Sequence, residues 1–288
     1  MAGNKDRARK RARERYERQR QHRLERQRKM RNRATIGLVV VVVAGLIGGG
    51  FLLFGGGNSK SQAAAKSTPT ASASPSTSPT PTPIAEPATH CTYTTSGTAA
   101  KAVSPPSATP DYTAKYQATI NTNRGKIVIN LLNSKATCAV NSFVHLADAK
   151  FWDNSQCHRV SNSGGLYMLQ CGDPYATATT KLTCSTTSKV GTGGPGYAFA
   201  SENLTGATYK AGTLAMANSG TATSNGSQFF LVFKDTTLPA DYTPFGTITS
   251  GTDILQNVAN AGTSCTYSAG GGVPKDKVVI DSVTIKKT

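Results

Sequence analysis

The chain has 288 residues and a formal net charge of +17, a length that accommodates one or two domains. The charge is unevenly spread: residues 1–33 hold fifteen Lys or Arg against four acids, and the other 255 residues carry only +6. The high isoelectric point therefore belongs to a leader, which excludes reading the whole surface as a nucleic-acid-binding face.

Residues 1–33 are rich in helix formers, with Glu14–Arg18 and Glu25–Lys29 at i,i+4 spacing. Two readings of this leader stand: a topogenic charge cluster that meets anionic lipid, or an RNA- or ribosome-binding arm. The next segment favours the first, and no nucleic-acid partner is expected. Residues 34–54, ATIGLVVVVVAGLIGGGFLLF, carry no charge. As a helix they are about 30 Å long, enough to cross the hydrocarbon core. Because the basic flank precedes the span, the expected topology is single-pass in the cell membrane, with a cytoplasmic N-terminus and an extracellular remainder. A cleaved signal peptide competes poorly. Its basic region would be unusually long, and the nearest small-residue site, Ala63–Ala65, lies well past the apolar core.

Residues 55–113 are rich in Ser, Thr, Pro, Ala and Gly. They hold too little apolar surface to offset ordering entropy, so a disordered, extended linker is expected. Cys91 and Tyr93 interrupt it and offer a point where its distal part could be pinned to the following domain. All six cysteines (Cys91, Cys138, Cys157, Cys171, Cys184, Cys265) follow the apolar segment. An even count on one side of a membrane points to disulfides in an oxidising compartment, with the pairing open. No pair has the short spacing of a zinc loop, and neither a metal nor another cofactor is expected.

From residue 114 to 288 the texture changes to short β-type runs. Tyr116–Thr122 and Gly125–Leu132 flank Asn123-Arg124 and predict a hairpin. Apolar spacing predicts a helix over Cys138–Lys150 and a second over Asp253–Ala261. Further strands are expected in CHRV, LYMLQC, GTLAMAN, SQFFLVF, PFGTIT and KVVIDSVTI. Many short strands at regular intervals suggest a closed barrel with attached helices.

Nucleophile elbows, zinc-helix motifs and phosphate loops are absent from the sequence. What remains is a set of polar residues set into apolar runs: His158, Arg159, Gln170, Asn218 and Gln228. Burying Arg or Gln costs several kcal/mol unless partners are supplied. Taken alone, Arg159 reads equally well as a paired arginine tying two strands together.

The segments CHRV–SNSGGLYMLQCGDP, GTGGPGYAF–SENL, GTLAMANSG–NGSQFFLVF and YTPFG, in that order, resemble the cyclophilins across roughly residues 116–284. The anchor and the QCGDP wording are similar to an actinobacterial membrane-anchored branch. The resemblance implies a closed eight-stranded antiparallel barrel capped by two helices, acting as a peptidyl-prolyl cis–trans isomerase on proline-containing polypeptides outside the cell. It implies that Arg159, Gln170 and Phe230 are catalytic. It further implies that Tyr167, Met168, Ala217, Asn218, Gln228, Leu238 and Tyr242 contact substrate. Tyr242 stands where many members have His, and Thr237 where many have Trp, which implies weakened cyclosporin binding. Thr180–Lys189 looks like an insertion; since Cys184 and Cys265 both fall in segments added to the family pattern near one rim of the groove, a Cys184–Cys265 bridge is expected. The altered rim also supports an alternative, a peptide-binding or chaperone module with little turnover.

Overall fold

The computed structural model describes residues 87–185 and 187–288. The basic leader, the expected span over 34–54 and the linker as far as residue 86 lie outside the described residues. Among the described residues, no helix is long and apolar enough to cross a membrane.

Thirteen strands and two helices make up the described chain. In order they are β1 (Thr94–Thr95), β2 (Tyr116–Thr122), β3 (Gly125–Leu131), helix α1 (Thr137–Asp148), β4 (Ser155–Gln156), β5 (Arg159–Ser163), β6 (Leu166–Cys171) and β7 (Tyr197–Ala198). After them come β8 (Thr213–Met216), β9 (Phe229–Val232), β10 (Pro244–Ser250), helix α2 (Thr252–Ala261), β11 (Thr263–Thr266), β12 (Gly272–Pro274) and β13 (Val279–Lys287). One antiparallel sheet runs in the order β11-β12-β5-β6-β9-β8-β10-β3-β2-β13-β4, and β1 pairs separately with β7. The architecture is mainly β with two helices. The ladder takes in eleven strands where eight closed strands were expected, and its end strands, β11 and β4, do not pair with each other among the described residues.

Side-chain alternation decides which residues meet. On β2 and β3, Ala118, Ile120, Ile127 and Ile129 turn inward and are almost fully buried. The central strand β9, FFLV, is apolar on both faces because it is covered on both. Phe229 and Leu231 enter the main core, whereas Phe230 and Val232 enter a second, smaller apolar cluster. In the main core Phe143 of α1 stacks near Trp152, Phe229 and Phe245, with ring centroids 4.7, 5.6 and 5.3 Å away. Each such side chain contributes about 1.5–3 kcal/mol by leaving water. Trp152 is buried in this main core, and its indole N–H donates to the Ser227 carbonyl.

The N-cap residue of helix α1 is Ala136, whose methyl group cannot cap it. The cap comes from elsewhere in the chain: Glu202 accepts the backbone N–H of Cys138 at 3.1 Å and of Ala139 at 2.8 Å. A carboxylate there also meets the positive end of the helix dipole.

Residues 87–113, assigned above to the linker, are packed onto the domain in their described part. Cys91 is bonded to Cys138 of α1 and is buried. Asn141 and His145, on the outer face of α1, bond the carbonyls of Ser107 and Ser104, so this stretch lies along the helix as a strap. Cys91 and Tyr93 are the pinning points the sequence offered; the rest of the strap was not legible because its anchors are largely hydrogen bonds to main-chain carbonyls, which leave no mark on composition. The remaining cysteines pair as Cys157–Cys171 and Cys184–Cys265, the latter as the family resemblance implied.

Candidate functional site

The second apolar cluster lies across β6, β9 and β8. It joins Met168, Tyr209, Ala215, Phe230 and Val232, with Leu166, Ala217, Leu238 and Tyr242 packed against it. Strand register sets one row across the sheet: Arg159 is opposite Gln170, Gln170 opposite Phe230, and Phe230 opposite Ala215. A cavity of about 250 Å³ opens over this row, with Arg159 and Gln170 at one side and Met168, Phe230, Leu238 and Tyr242 around it. The Tyr242 ring stands edge-on to Phe230 at 5.7 Å, and its backbone is held by the Tyr209 hydroxyl.

Arg159 has no acidic partner among the described residues. Its Nε–H donates to the Gly270 carbonyl and an Nη2–H to the Ala269 carbonyl, both at 2.9 Å. An Nη1–H donates to Gln170 Oε1 at 3.3 Å. A guanidinium has five N–H groups, so two remain for a ligand. Burial lowers the guanidinium pKa from its ordinary value, while the nearby phenols of Tyr242 and Tyr267 act in the opposite direction. The group remains a cation in any ordinary solution.

Gln170 in turn donates to Gln228 Oε1 at 3.0 Å, and Gln228 donates to the carbonyls of Gly193 (2.9 Å) and Gly191 (3.1 Å). The chain of donors thus runs from the guanidinium through two carboxamides into the glycine loop. Each amide is locked in one orientation by the next, and such directional networks stiffen a site. Gln170 still keeps one N–H and one acceptor position unused.

The structure brings Arg159, Gln170, Phe230, Met168, Ala217, Asn218, Leu238 and Tyr242 to the one cavity. It does not bring Tyr167 there. Neighbouring residues on a strand point to opposite faces, so Tyr167 and Met168 cannot both line the same wall. Tyr167 packs toward the main core, edge-on to Phe233 at 6.3 Å, with the Lys234 ammonium over its ring. Leu166 takes that place in the lining. The alternation of Leu166, Met168 and Gln170 along β6 carried that signal. Gln228 lies outside this cavity, in an adjoining one. The Asn218 carboxamide is already engaged, donating to Asp241 O and accepting from the Gly220 N–H. Ala269 was missed because its contribution is a main-chain carbonyl, which has no side-chain signature.

Comparison with known proteins follows this geometry. The family model for cyclophilin type peptidyl-prolyl cis-trans isomerases matches residues 117–285. The probable peptidyl-prolyl cis-trans isomerase B of Mycobacterium leprae is 41% identical over 214 residues, which cover 68% of this chain and 66% of that protein. The corresponding protein of Mycobacterium tuberculosis is 41% identical over 192 residues, covering 61% of this chain and 56% of that one. The peptidyl-prolyl cis-trans isomerase A of the same organism is 37% identical over 189 residues and is covered over 93% of its length. The chain thus spans less than two thirds of the length of the two B-type relatives.

Proposed function

The chain belongs to the cyclophilin-type peptidyl-prolyl cis–trans isomerases, and from that premise we propose that it accelerates rotation about X–Pro bonds in polypeptides outside the cytoplasm. The observation that carries the reading is Arg159, an acid-free guanidinium with unused N–H groups at the edge of an apolar socket.

The barrier to X–Pro rotation is about 20 kcal/mol, whereas the two isomers differ by only about 0.5–1 kcal/mol. Acceleration is therefore the whole task. When the amide twists, the prolyl nitrogen loses conjugation and becomes a hydrogen-bond acceptor. An Arg159 N–H directed there binds the twisted form more strongly than either planar isomer. One charge-assisted bond is worth about 1.5–3 kcal/mol, while a 10⁵-fold rate gain needs about 7 kcal/mol. The rest falls to positioning: Met168, Phe230, Leu238 and Tyr242 hold the ring, and Gln170 holds a flanking peptide group with its unused N–H. Asn218, with its carboxamide engaged, serves as a wall and shapes the turn beside it. Nothing in this scheme calls for a metal, a nucleotide or a covalent intermediate.

We read residues 34–54 as a single membrane span, residues 1–33 as cytoplasmic, and the isomerase domain as extracellular. The three disulfides support an oxidising compartment. With Thr237 at the rim, cyclosporin binding is weakened. A second reading, a peptide-binding module with little turnover, draws on the two carbonyls that already occupy part of the Arg159 guanidinium.

One experiment separates the two. The full chain, solubilised in detergent, is assayed with a proline peptide in a protease-coupled format beside Arg159→Ala. The expected result is acceleration by the wild type and at least a tenfold loss in the variant, with its thermal midpoint retained. Equal rates in both would remove Arg159 from the mechanism. Peptide binding without acceleration by the wild type would favour the second reading.

A further inference from the structure

Beside the proline socket lies a second cavity of about 460 Å³ that shares Gln170, Ala217 and Asn218 with it. One of its walls is Ser96, Gly97 and Thr98. These residues precede the part of the chain matched by the family model, which begins at residue 117. The wall is therefore supplied from outside the region that the family model matches.

The strap is held here by several independent fastenings. Thr94 and Thr95 pair with Ala198 and Tyr197, the Ser96 N–H donates to Gly196 O at 3.0 Å, and the Ala100 N–H donates to Gly194 O at 3.2 Å. The Tyr93 ring sits edge-on to Tyr197 and Phe199, and the Lys101 ammonium closes the stretch on the carbonyls of Lys150 and Phe151. At Gly196, φ is +84°, and a Cβ would lie 2.8 Å from Ala99 Cβ, so only glycine lets the strap approach so closely. The cavity is also lined by the glycine loop, whose Gly191 and Gly193 carbonyls receive Gln228. No Asp, Glu, Lys, Arg or His lines the cavity; its polar groups are hydroxyls, carboxamides and main-chain amides.

We infer that the strap residues Ser96, Gly97 and Thr98 complete a subsite that selects an uncharged polar side chain flanking the substrate proline. A hydroxyl or carboxamide side chain finds matching donors and acceptors there. An ionised one loses hydration without meeting a countercharge. The inference rests on the isomerase reading above, because the two cavities adjoin through Gln170, Ala217 and Asn218.

The test gives the full chain two series of proline tetrapeptides, one varied before the proline and one after, with Gln, Glu or Lys at the varied position. In one series the wild type turns over the Gln peptide faster than either charged one. Thr98 is exposed, so its replacement tests charge and not folding. Thr98→Lys raises the Glu-to-Lys ratio of kcat/KM in that series about threefold, Thr98→Asp lowers it by a similar factor, and both shifts shrink in high salt. Ser96→Lys repeats the first shift from the neighbouring position. If all variants keep the wild-type ratios in both series while still isomerising, the subsite assignment is wrong and the isomerase reading stands. If the wild type accelerates none of the peptides, both fall together.

Discussion

The Nε–H of Arg159 donates to the carbonyl of Gly270, 111 residues further along the chain, at 2.9 Å. Gly270 lies in the turn between β11 and β12; besides the pairing of β12 with β5, this hairpin is fastened to the domain by a disulfide and a side-chain hydrogen bond. The Cys184–Cys265 bridge ties β11 to the 180–189 segment, and the Tyr267 hydroxyl donates to His158 O at 3.2 Å. The hairpin thus positions the guanidinium through its main chain. Replacing both cysteines (Cys184→Ser with Cys265→Ser) is expected to lower kcat about three- to tenfold with little change in KM, since the socket is left intact. Steady-state rates decide it. Equal losses in kcat/KM and thermal midpoint, with KM rising, would mark the bridge as merely structural.

His158, next to Arg159 in sequence, is buried and its Nδ1 has no hydrogen-bond partner. Burial, reinforced by the neighbouring guanidinium, pushes its pKa down to about 4. A base whose folded pKa lies below its unfolded value of about 6.5 stabilises the fold above that value, and the contribution is lost as pH falls toward 4. At pH 4.5 the loss amounts to about 2 kcal/mol relative to pH 7. Urea unfolding of wild type and His158→Leu at the two pH values measures it: the variant should lose less stability on acidification by that amount.

Where β6 ends, Gly172 has φ +89°, and a Cβ would lie 2.3 Å from the Ser227 carbonyl oxygen. Its own carbonyl accepts the Ser227 hydroxyl at 2.8 Å. Gly172→Ala therefore forces β6 away from β9, the two strands that carry Gln170 and Phe230. The expected cost is at least about 2 kcal/mol, read from urea or thermal unfolding, together with a fall in isomerase rate.

The longer strands and both helices were legible because their side chains alternate or recur at a fixed period. LYMLQC matches β6 residue for residue, and the second helix begins one residue before the expected Asp253. The short strands β1, β4, β7, β11 and β12 were not legible: two to four residues carry no period, and long-range pairing alone defines them. Within the site, the family resemblance assembled most of the cavity from scattered segments. Two of its expected residues, Tyr167 and Gln228, fall outside that cavity; Tyr167 could have been corrected from strand alternation, which puts Leu166 on the Met168 face. The carbonyls of Ala269 and Gly270 had no signal at all, because main-chain groups look alike in every sequence.

The position of Cys91 has a mechanical consequence. The bond to Cys138 lies upstream of β1 and of the Ser96–Thr98 wall. A pull on the chain from its N-terminal side is therefore received by helix α1 through a covalent link, and the hydrogen bonds of β1 bear none of the tension. If the domain hangs from the proposed membrane tether, the Ser96–Thr98 segment keeps its place under shear as long as that link is closed.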